Sequence, residues 1–201
     1  MIARAAALLA VVLVAAACEP GRGSDAGAPP GSARAAAPAP RPLDTSWQSD
    51  PGRLLAAGDL APDFEGIAHT GMRVRLGAFL DKPVVVYFCE RDGAAPCTAL
   101  ARQIRDAWLQ LNDRASMVIG VSADDRVAHK DFATAEELPF LVVADEDHAI
   151  ARAFGLAVSA SGSARATFLI GVDRRIIRVF SPMSPEGHAA EIAAALGALP
   201  R

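Results

Sequence analysis

The chain has 201 residues, enough for one domain with appendages, and its 52% hydrophobic share overstates the core because much of it is alanine outside any plausible domain. The formal net charge of -3 leaves no electrostatic footprint for nucleic acid. Histidines stand at 69, 129, 148 and 188 with no pair at metal-ligand spacing, so neither a metal nor another cofactor is expected.

Residues 1–17 carry one basic residue, Arg4, then an apolar run from Ala5 to Val14 and three small residues before Cys18. A basic start, an apolar stretch too short to span a bilayer and a small-residue cleavage site describe a secretory signal. The run AAAC resembles a bacterial lipobox, in which the signal is cut before a cysteine that receives a lipid, although Ala15 stands where leucine is usual. An ordinary signal with its cleavage site at Ala15–Ala17 is the alternative. Residues 18–52 are rich in Ala, Pro and Gly, lack apolar periodicity and read as a disordered tether. The folded domain is expected over 53–201.

Within it, 62–76 reads as two short strands about a turn at His69–Gly71. PVVVYF (83–88) is a continuous β-branched run, the pattern of a strand covered on both faces. After a loop, Thr98 to Leu111 has helical periodicity, with Leu100, Ile104, Trp108 and Leu111 on one stripe. SMVIGV (116–121) and FLVV (140–143) are further strands, and 126–136 and 148–154 are helices, the second stopped by Gly155. ATFLIG and IIRVF pair about Val172–Arg175, and a last helix covers 187–197. Asp124-Asp125 fits a helix cap, and Asp145-Glu146-Asp147 a turn with acids near a helix N-terminus. Strands alternating with helices imply an α/β domain: a thioredoxin-like fold with a mixed central sheet, flanking helices and an N-terminal β-hairpin extension.

From Gly58 onward the chain resembles the peroxiredoxins of the AhpC/TSA superfamily, in their bacterioferritin-comigratory or Q-type branch. The resemblance lies in GDLAPDF (58–64), in PVVVYF with a cysteine nine residues after Phe88, in VSADD and HKDF within 121–132, and in SARATFLIG (163–171). It implies that Cys97 is the peroxidatic cysteine and that Arg165 stabilises its thiolate and the peroxide. Cys97 stands where the loop enters a helix, and free N–H groups and the helix dipole there favour a thiolate. Attack on the terminal peroxide oxygen would give a sulfenic acid and water or alcohol.

The family's P-x-x-x-T-x-x-C pattern here reads E-x-x-x-A-x-x-C, with Glu90 for proline and Ala94 for threonine. Loss of the hydroxyl is expected to cost about 1–3 kcal/mol of transition-state stabilisation. A Glu90 carboxylate turned inward would raise the thiol's pKa. The branch's resolving cysteine, five residues after the peroxidatic one, is replaced by Arg102. Cys89 is therefore either a possible resolving cysteine or a small apolar residue at a strand end. As a resolver it is expected to need the first helical turn to open.

The expected activity is thiol-dependent reduction of hydrogen peroxide or organic hydroperoxides in the cell envelope. An external thiol, thioredoxin-like or of low molecular weight, would be the reductant, with membrane attachment by lipid on Cys18 and a monomer or weak dimer. Alternatives are a thiol-disulfide oxidoreductase, against which no C-x-x-C exists, and a degenerate redox-sensing or binding domain, which the missing Pro and Thr favour.

Overall fold

The computed structural model describes residues 52–114, 117–181 and 183–200. The signal-peptide reading, the lipidation of Cys18 and the tether up to residue 51 lie outside them.

Strand β3 (Val84–Phe88) is buried at every residue, as its unbroken apolar run requires. It pairs in parallel with β4 (Met117–Ser122) and antiparallel with β8 (Ala166–Ile170). With β5 (Leu141–Ala144) beyond β4 and β9 (Ile176–Phe180) beyond β8, the mixed sheet runs β5-β4-β3-β8-β9. Alternation along β3 divides the core. Val84, Val86 and Phe88 join Ile119, Val121, Phe154 and Phe168 on one face, while Val85 and Tyr87 join Leu100, Ile104, Val118, Leu169 and Ile192 on the other.

Helices α1 (Ala95–Asp106), α2 (Trp108–Arg114) and α5 (His188–Gly197) pack on the second face. Trp108 and Phe132 lie partly buried against it as core residues, Phe132 from α3 (Arg126–Ala135). The other face carries α4 (Ala149–Ala153) and the hairpin of β1 (Glu65–Ile67) and β2 (Arg73–Arg75), followed by a 3-10 turn over Leu76–Phe79.

The single helix expected over Thr98–Leu111 is corrected to two: α1 starts at Ala95, and the chain bends at Ala107, whose backbone sits at φ -90 and ψ 4. Trp108 beyond the bend lies 6.1 Å, centroid to centroid, from Phe140 of the same core. A short hairpin of β6 (Val158–Ser159) and β7 (Gly162–Ser163) also escapes the apolar pattern.

The segment ahead of the sheet touches both of its lateral strands. Leu60 bridges Arg175 at the start of β9, with Gly58 N–H donating to the Ile176 carbonyl at 2.7 Å. Ala68 bridges Val143 of β5, and His69 N–H donates to the Val142 carbonyl at 2.8 Å. Gly155, at φ +74, lies so close to this segment that an added Cβ would stand 1.8 Å from the Arg53 carbonyl oxygen. Gly155→Ala is therefore expected to lower unfolding free energy by about 2 kcal/mol or more, read from urea midpoints at unchanged slope.

Two imidazoles, His188 buried and His69 half-buried, give the fold a pH dependence. His188 is fully buried, with Nε2 2.8 Å from Thr167 Oγ1, and burial holds its pKa below the ordinary value. Burial, and then the proximity of His129, does the same to His69. The unfolded chain thus takes up these protons first as pH falls, so their contribution is complete above about 6.5 and declines below it. Urea midpoints should fall between about pH 6.5 and 5, and His188→Gln should flatten that slope.

Candidate active site

The register Phe88↔Ala166 between antiparallel β3 and β8 places the next residue of one strand opposite the preceding residue of the other. Cys89 and Arg165 are those residues. The chain then folds back through 90–94 and enters α1, so that Cys97 lies in its first turn.

Cys89 and Cys97 are joined by a disulfide, with Cα atoms 5.8 Å apart and α1 intact from Ala95. The expectation that this bond requires the first helical turn to open is thus corrected. The loop returns far enough to bring strand end and helix start side by side, within ordinary disulfide reach. Both cysteines are only 3% exposed. Pro96 lies in the first helical turn, where its missing N–H costs nothing, and Ala94 at the N-cap offers no side-chain acceptor. The other N–H groups of that turn are left to whatever anion or oxygen stands at the helix start.

Glu90 faces Arg165. Its carboxylate lies 3.1 Å from Nη1 of Arg165, in an ion pair with side chains 40% and 29% exposed. A pair this accessible contributes little to stability, below about 1 kcal/mol. The guanidinium that the resemblance assigns to Cys97 thus has a carboxylate partner while the disulfide is closed.

Several residues that the sequence reading passed over hold the loop. On one side, Ser163 Oγ donates to the Cys89 carbonyl at 3.4 Å, and Arg91 Nη2 to the Ala160 carbonyl at 3.4 Å. On the other, Cys89 N–H donates to the Val121 carbonyl at 3.0 Å and Asp92 N–H to Asp124 Oδ2 at 2.6 Å. Asp124 is thus a loop anchor; Asp125 alone caps α3, accepting from Val127 and Ala128 N–H. Asp145 and Asp147 do stand at a helix start, receiving the N–H groups of Ile150, Ala151 and Ala149. Arg102, where the resemblance would place a resolving cysteine, pairs with Glu136 at 2.6 Å. His129 carried a legible signal: it shares a helical stripe with Ala133, four residues on, and both are buried.

The sequence model of the AhpC/TSA family matches residues 57–179. Peroxiredoxin Bcp of Bacillus subtilis is 32% identical over 144 residues, covering 68% of this chain and 92% of the relative. The chloroplastic peroxiredoxin Q of Triticum aestivum is 32% identical over 165 residues, covering 81% and 76%. Among solved structures, peroxidoxin BcpB of Mycobacterium tuberculosis superposes with a TM-score of 0.69 at 27% identity, covering 73% of this chain and 99% of that one. Peroxiredoxin Q of Xanthomonas campestris does so at 0.66 and 25%, covering 71% and 97%. The chain belongs to the AhpC/TSA family, with peroxiredoxins of the Bcp and Q type as its relatives, and its activity is that of a thiol peroxidase.

Gly162 tests the loop's anchorage. It sits at φ +127, and a Cβ there would fall 2.1 Å from the Glu90 carbonyl oxygen. Gly162→Ala must push the loop outward, and diamide oxidation of the reduced chain should close the Cys89–Cys97 disulfide about tenfold more slowly, or worse.

Proposed function

We propose that Cys97 is the peroxidatic cysteine, that Arg165 steadies its thiolate and the bound peroxide, and that Cys89 resolves the product. The observation that carries this reading is the Cys89–Cys97 bond at the mouth of an intact α1, with the Arg165 side chain 3.1 Å from Glu90, the residue next to Cys89. The Cys97 thiolate attacks the terminal oxygen of a hydroperoxide, the O–O bond breaks, and water or an alcohol leaves as Cys97 becomes a sulfenic acid. The Cys89 thiol then displaces that hydroxyl as water and closes the disulfide. Two electrons from an external thiol, thioredoxin-like or of low molecular weight, reopen it.

The protein is further proposed to be exported and lipid-anchored through Cys18 in the bacterial cell envelope, on the periplasmic side if the cell is Gram-negative. The AAAC run and the Pro/Ala-rich stretch to residue 52 support this. No helix among the described residues is long and apolar enough to cross a membrane.

The test is intact mass of the full chain, carrying Cys18→Ser, after one equivalent of hydrogen peroxide. Loss of two hydrogens is expected, with one retained oxygen instead in Cys89→Ser and neither change in Cys97→Ser. A parent chain that reacts no faster than free cysteine overturns the assignment and returns the domain to the sensing or binding reading. Glu90→Gln, which removes a negative charge and frees Arg165, should speed sulfenate formation about two- to tenfold, because a guanidinium without its carboxylate partner favours nearby anions. A slower rate would mean that the carboxylate holds Arg165 in its working position.

A further inference from the structure

Beneath the crest of the loop lies a buried polar cluster that the chemistry above leaves unused. Asp92 stands three residues after Cys89 and five before Cys97. Its Oδ2 lies 2.5 Å from Nδ1 of His129, and its Oδ1 accepts from Ser122 Oγ at 3.3 Å. The Asp92 N–H donates to Asp124 Oδ2 at 2.6 Å, and Arg91 lies 3.7 Å from the same carboxylate's other oxygen. His129 is fully buried on α3, and its Nε2 finds no protein partner among the described residues. Tyr87 lies close by, its phenol pushed well up in pKa by burial and, secondarily, by the Asp92 charge.

Such a cluster is costly to bury and serves no packing purpose that an apolar trio would not serve. Its members come from three places: the loop, the end of β4, and α3. A carboxylate has only acceptors, so the ring proton facing Asp92 sits on Nδ1, and the imidazole acts as a fixed donor rooted in the helix. The Asp92 carboxylate is thereby tied to two elements that carry neither cysteine.

We propose that the Asp92–His129 pair is a positioning device for the disulfide: it pins the loop crest to β4 and α3 so that Cys89 and Cys97 stay within bonding reach. Seven residues separate the two cysteines. Left to themselves they would sample many conformations in which the sulfurs are apart, and pinning the crest removes most of those. Asp92 and His129 are positioning residues and touch neither sulfur nor peroxide. For catalysis the inference rests on Cys89 as the resolver, but its physical content, a high effective concentration of one thiol at the other, holds without any peroxide.

The experiment is a glutathione redox titration of the Cys89–Cys97 pair in the full chain carrying Cys18→Ser. Asp92→Ala and His129→Leu should each lower the equilibrium constant for disulfide formation at least tenfold, raising the reduction potential by about 30 mV. Asp92→Asn keeps an acceptor for Nδ1–H and should lose less than threefold. Ala128→Gly weakens the same helix at an exposed position and should leave the potential unchanged. Unchanged potentials in Asp92→Ala and His129→Leu overturn the inference, as does an equal shift in Ala128→Gly, which would reveal general loosening of α3. Failure of the peroxide experiment with these titration shifts intact would sink the peroxidatic assignment alone.

Discussion

The pairing of β3 on both sides sets everything else. A strand with five buried residues and a hydrogen-bonded neighbour on each flank has no freedom of register, because a slip by one residue would exchange its two core faces. Its carboxyl end therefore emerges at one place, beside the end of β4 and opposite the start of β8. Cys89, Val121 and Arg165 meet there because of that pairing. The local sequence around Cys97 has only to bring a helix start back to the same point.

By the resemblance, Ala94 stands where a threonine and Glu90 where a proline would be expected. The loop gains other restraints: Gly162 and Ser163 press on it from one side, and Asp124, Ser122 and His129 hold it from the other. Tertiary anchoring thus holds the short segment between the two bonded cysteines. On the proposed reading, chemistry at Cys97 is coupled to how firmly that segment is held.

Much of the fold is legible in the sequence, because short apolar runs such as 84–88 and 166–170, each ended by a loop or a glycine, have few uses other than as buried strands. The hairpin over Val158–Ser163 is not, since its strands are two residues long and made of small side chains with no periodicity. The bend at Ala107 is equally silent: alanine favours continuing a helix, and only packing decides otherwise. At the site, Cys97 and Arg165 stand out by resemblance. The Cys89–Cys97 bond does not, because an eight-residue separation spans either an open loop or a closed one, depending on contacts with residues 30 to 75 positions away.

The N-terminal segment has a role that its irregular structure conceals. Residues 58–61 engage the start of β9, and residues 68–69 engage β5, so one stretch of chain touches both lateral strands of the sheet. Unpaired strand edges are templates for pairing with a second molecule. The stretch that leads into the fold thus blocks part of each template, and molecules crowded together have less opportunity to join sheet to sheet. Cutting the chain downstream of Gly58 would remove this guard along with the covering of the core, and sheet-to-sheet association is the disorder to which such a fragment is most exposed.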